Sequence, residues 1–140
     1  MKLLSALFLF SICVGCLTTK IVKSTSGELN GTWIPVKEEF GGNELPASSF
    51  EKQRLILQDT LYTVTAESID KGIVYYGNGK MDIYGKVGVN AGKHITAIYK
   101  LENGLLTICY NLLGLSYPES YDTKGKPTFF LSVSKKEGIQ

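Results

Sequence analysis

One histidine and three cysteines are the whole supply of imidazole and thiol in this 140-residue chain. His94 has no second histidine or cysteine at ligand spacing, so the sequence offers no metal site and implies no cofactor. Cys109 ends the apolar run Leu105-Leu106-Thr107-Ile108-Cys109 and lacks a histidine partner, which makes it a buried, inert thiol rather than a nucleophile. Glu38, Glu39 and Glu51 are the carboxylates that acid–base chemistry would need. Neighbours on a strand point to opposite faces, however, so Glu38 and Glu39 cannot act on one substrate and read as solvated charges. Gly77-Asn78-Gly79 does not link a strand to a helix and reads as a hairpin turn, not a phosphate loop. Acid, base and nucleophile constellations are therefore missing, and the sequence points away from an enzyme.

The eight tyrosines suit binding better than catalysis. Tyr62, Tyr84, Tyr99 and Tyr110 fall on expected strands and are the ligand-binding candidates, because a phenol offers an apolar face with a hydroxyl at its tip. Such a lining fits a small apolar or amphipathic ligand. The alternative is a packed interior, which eight short strands favour. A second surface is the long irregular loop 112–126, whose Leu115, Tyr117 and Tyr121 are candidates for contact with another envelope protein. Trp33 is the single tryptophan and reads as a core anchor.

The elements that must position these residues follow from composition and pattern. Hydrophobic residues make up 44% and charged residues 20%, with a net charge of +2. That is a globular balance with no basic run to serve nucleic acid. Residues 1–15 hold one lysine and then an uncharged apolar run, too short to span a bilayer and laid out as an export signal. Residues 16–28 are rich in Ser, Thr and Lys and read as a flexible tether. From residue 29 to 136, short apolar runs separated by Gly, Asn, Asp and Pro mark antiparallel strands. Strands are expected at 32–40, 54–58, 61–65, 72–76, 80–84, 93–101, 105–111 and 128–134, with a short helix at 46–52. In 94–101, Ile95, Ala97, Tyr99 and Leu101 share one face. Asn103-Gly104 calls for a tight type I′ hairpin, since both positions tolerate positive φ. Residues 137–140 form a C-terminal tail. About eight strands in meander order, with no long helix to cover a sheet, are best satisfied by closure into an all-β, up-and-down barrel.

Two resemblances extend this reading. Cys13-Val14-Gly15-Cys16 resembles the lipobox of bacterial lipoproteins, which implies cleavage before Cys16, lipidation of Cys16 and a membrane-anchored place in the bacterial cell envelope. Leu29-Asn30-Gly31-Thr32-Trp33 looks like the Gly-x-Trp signature of lipocalin-type barrels. With Leu45-Pro46, Met81-Asp82-Ile83, the 98–109 block and Pro118, the pattern resembles a bacterial lipocalin-like family of envelope proteins expanded in planctomycetes. The resemblance implies a lipocalin-like barrel with Trp33 closing its floor, and Lys135 or Lys136 placed to cover the indole. It implies no reaction.

Overall fold

The computed structural model describes residues 27–138. The signal segment 1–15, Cys16 and most of the 16–28 tether lie outside the described residues, as do 139–140 of the tail. Nine strands run β1 (Gly31–Phe40), β2 (Asn43–Glu44), β3 (Arg54–Gln58), β4 (Leu61–Thr65), β5 (Ile69–Gly77), β6 (Lys80–Val87), β7 (His94–Glu102), β8 (Leu105–Asn111) and β9 (Phe129–Lys136). Each long strand pairs antiparallel with the next, and β9 returns to β1. The result is a closed eight-strand up-and-down barrel, with β2 as a short extra strand beside the upper part of β1.

The short helix expected at 46–52 is instead one 3-10 turn, Ala47–Ser49, which follows Pro46. Its sequence explains the difference. Ser48 and Ser49 compete for backbone hydrogen bonds, and Ser49 Oγ donates to the Pro46 carbonyl (2.7 Å) instead of supporting a longer helix. Phe50, which follows the turn, is buried.

The two ends of the barrel are built differently. At one end the turns are tight: Asn78-Gly79 and Asn103-Gly104 both have φ near 50–75°, as type I′ requires. The first described residues enter at this end, and the indole closes it. Trp33 is 2% exposed, and its Nε1 donates to the Leu29 carbonyl (2.8 Å). The Leu29 amide in turn donates to the Tyr76 hydroxyl (3.3 Å). Tyr76 meets Tyr99 edge-on at 5.7 Å, and Leu106 and Ala97 pack beside them. Lys136 Nζ stands 5.6 Å from the centre of the Trp33 ring, a cation–π contact. The opposite end carries the longer connections, 41–53, 66–68, 88–93 and 112–128, and it is the mouth.

Two irregularities shape the interior. The pairing of β1 with β9 slips between Pro35 and Lys37. Proline has no N–H to give a ladder, so a bulge is a natural place for it. The extra residue inverts the alternation that follows: Trp33 and Pro35 face inward, and after the slip it is Glu38 that faces inward. Glu38 is 3% exposed. The expectation of a solvated charge at this position is therefore corrected, although Glu38 and Glu39 do lie on opposite faces.

The second irregularity is a glycine pair, Gly72 on β5 facing Gly85 on β6. A Cβ on Gly72 would stand 2.7 Å from the Tyr62 ring and 2.1 Å from the Tyr84 carbonyl oxygen. One on Gly85 would stand 1.8 Å from the Asn90 carbonyl oxygen. The absence of side chains here lets the 88–93 loop fold over the rim and bring Asn90 inward.

Candidate functional site

The interior is packed at the tryptophan end and open at the mouth. A cavity of about 250 Å³ occupies the mouth end, so the packed-interior alternative holds at the tryptophan end and not at the mouth. Its walls are mostly aliphatic, with Leu57, Val64, Val74, Met81, Ile83 and Ile95 supplied by alternate positions of β3 to β7. Val89 and Leu112 line its rim and are exposed to solvent. Lysine, arginine and histidine do not contribute to the lining.

The polar groups of the cavity form two clusters. The first joins β4, β5 and the 88–93 loop. Asp70 accepts from the Tyr62 hydroxyl at Oδ2 (3.2 Å), from Asn90 Nδ2 at Oδ2 (2.8 Å) and from the Asn90 amide at Oδ1 (3.2 Å). Burial, followed by the nearby Asp70 charge, pushes the Tyr62 hydroxyl well above the usual phenol range, so it stays a donor. The second cluster lies on the opposite wall. Gln53 Nε2 donates to Glu38 Oε1 (2.8 Å), and Tyr110 on β8 stands within the field of Glu38 and Tyr62. Desolvation pushes the Glu38 carboxyl up to about 7, with the Gln53 hydrogen bond working against it.

The tyrosine candidates divide among three environments. Tyr62 and Tyr110 line the cavity. Tyr99 faces inward but sits at the closed end, where its hydroxyl donates to Glu28 Oε1 (3.1 Å). Tyr84 is on the outer wall, stacked on His94 at 4.5 Å and edge-on to Tyr75 at 6.2 Å. The lining residues Gln53, Asp70 and Asn90, and Glu38 behind Gln53, were not among the expected site residues. For Asp70 a signal was present: it is in phase with Gly72, Val74 and Tyr76, the inward set of β5. For Glu38 there was none, because the bulge sets its face.

The segment after β8 is folded against the outer wall and only partly free. The Tyr117 hydroxyl donates to Asp82 Oδ2, and Asp82 Oδ1 is 2.8 Å from His94 Nε2. Lys80 Nζ lies 5.0 Å from the Tyr117 ring centre, and Lys100 Nζ lies 4.9 Å from that of Tyr121. The Ser116 carbonyl accepts from Thr96 Oγ1 and Asn111 Nδ2. Thr123 donates to Glu39 and accepts from the Gly42 amide. Of the three protein-contact candidates, Tyr117 and Tyr121 thus hold the loop to the barrel, while Leu115 is 83% exposed. The same segment buries Cys109 completely although it points out of the barrel. Desolvation pushes its thiol up to about 11, far from the reactive thiolate. Among the described residues, no three His, Cys, Asp or Glu side chains gather as metal ligands.

The chain matches no family model, no curated protein and no solved structure.

Proposed function

We propose that this protein is a non-enzymatic, lipocalin-like binding barrel, lipid-anchored to the cell envelope through Cys16, that takes a small apolar or amphipathic molecule into the cavity at its mouth. The observation that carries the reading is the 250 Å³ cavity itself. Its aliphatic walls would gain by shedding water against an apolar ligand, at about 25 cal/mol per Å² of buried surface. Its few polar groups would orient the ligand. The anchor rests on the sequence of residues 1–16, and the geometry is compatible with it. The described chain enters at the tryptophan end, so a tether would leave the mouth turned away from the membrane.

Titration with the neutral fluorophore N-phenyl-1-naphthylamine tests the binding half. Fluorescence should rise saturably with the intact protein, and Val64→Phe, which places a ring in the cavity, should weaken uptake by about tenfold or more (about 1.4 kcal/mol). Equal uptake by both proteins would refute a ligand site inside the barrel. For the anchor, a palmitate analogue should label the protein in bacterial cells and fail to label Cys16→Ser. Persistent labelling would exclude this cysteine as the lipid acceptor.

A further inference from the structure

The arrangement around Glu38 narrows the chemistry of the ligand, granted the reading of the cavity as a small-molecule site. We propose that the ligand carries a primary ammonium group, seated at Gln53 and Tyr110 with the Glu38 carboxylate behind them, and its apolar part against the aliphatic wall.

Three acceptor atoms in this corner have no hydrogen-bond partner among the described residues. Glu38 Oε1 accepts from Gln53 Nε2, and Glu38 Oε2 takes no hydrogen bond from the described residues. Gln53 spends its amide nitrogen on Glu38, and its side-chain oxygen takes no hydrogen bond from the described residues. Tyr110 makes a ring contact with Phe130 at 5.7 Å, and its hydroxyl has no hydrogen-bond partner among the described residues. No fully enclosed side-chain oxygen or nitrogen of the described residues lacks a partner. Gln53 and Tyr110 line the cavity, and Glu38, bonded to Gln53, stands directly behind that wall.

A primary ammonium has three N–H donors and no acceptor, which suits the two unpartnered oxygens on the wall, with the Glu38 charge behind them. The charge balance agrees. The lining holds one carboxylate, Asp70, with Glu38 immediately behind Gln53, and no cationic side chain. Asp70 is already satisfied by Tyr62 and Asn90, whereas Glu38 is nearly buried with half of its acceptor capacity idle. Leaving a carboxylate in that state is costly, and a cation placed against it removes the cost. A carboxylate-bearing ligand would meet two acids and no compensating base. An alcohol could use one or two of the oxygens but would leave the charge unanswered.

Three probes with the same chain separate these possibilities: n-octylamine, n-octanol and octanoate, each titrated calorimetrically into the intact protein. A hydrogen bond to a charged partner is worth about 1.5–3 kcal/mol, so octylamine should bind about 10- to 100-fold more tightly than octanol, and octanoate most weakly. Glu38→Gln should bring octylamine down to the level of octanol, with octanol binding by that variant reporting an intact cavity. If octanol matches octylamine, or if Glu38→Gln keeps the preference for the amine, the ammonium assignment is overturned while the small-molecule site stands. If none of the three probes binds, both fall.

Discussion

Trp33→Ala is expected to lower the melting temperature by roughly 12–20 °C, the largest effect of any single side-chain truncation in the molecule. Removing a fully buried aromatic side chain from a core costs about 3–5 kcal/mol, and one kcal/mol moves the midpoint of a domain of this size by about 4 °C. The indole is placed to reach the top of that range. It is 2% exposed, it holds Leu29 through Nε1, and Leu29 is fully buried and tied to Tyr76. A cavity there would detach the first described turn as well as hollow the floor. Trp33→Phe, which keeps most of the volume but leaves the Leu29 carbonyl without its donor, should lose about 1–3 kcal/mol. Circular dichroism melts of the two variants give the comparison. A Trp33→Ala midpoint within a few degrees of the parent would show that the floor does not depend on the indole.

The second large effect concerns the buried carboxyl of Glu38. Glu38 has a carboxyl raised from 4.5 to about 7 by desolvation. The folded protein therefore binds this proton more tightly than the unfolded chain does. Below pH 4.5 the group is protonated in both states and costs nothing. As pH rises from 4.5 to 7, the unfolded chain ionises first and stability falls. Above 7 the full penalty is present, on the order of 3 kcal/mol at 1.36 kcal/mol per pH unit. No basic side chain contributes to the neighbouring cavity wall to offset it. Glu38→Gln retains an amide that can pair with Gln53 and removes the charge. The variant should match the parent near pH 4.5 and exceed it by about 3 kcal/mol at pH 8 in urea titrations. Parallel pH profiles for the two proteins would mean that Glu38 ionises in water-like surroundings.

These two residues also mark how far the sequence could be read. The tryptophan end was legible because its determinants are local. Asn103-Gly104 carries its turn type in its own φ preferences, and the apolar alternation of 94–101 reappears as the inward set Ile95, Ala97 and Tyr99. Closure of the sheet followed from strand number and the lack of a covering helix. The mouth was less legible because its determinants are not local. A bulge at Pro35–Lys37 turns Glu38 inward, and nothing in the 38–40 segment itself records that inversion. In β6, Met81, Ile83 and Tyr84 are all apolar or aromatic, so periodicity alone could not place Tyr84 outside on His94. Tyr62 and Tyr110 share the cavity, whereas Tyr99 has the same face but lies too near the floor. The 112–126 segment reads from sequence as an irregular loop because its length and composition allow it. Its attachment through Asp82, Glu39 and the Ser116 carbonyl depends on groups scattered over four strands and on the segment itself.

Methyl-resolved NMR of the intact protein during titration with n-octanol tests most directly whether the mouth of the barrel, and not its floor or outer wall, holds a small molecule. The account predicts saturable shifts in the methyl signals of Val64, Val74, Ile83 and Ile95, with those of Leu29, Leu106 and the exposed Leu115 unmoved. Shifts that never saturate, or that centre on Leu115 and the outer wall, would contradict it.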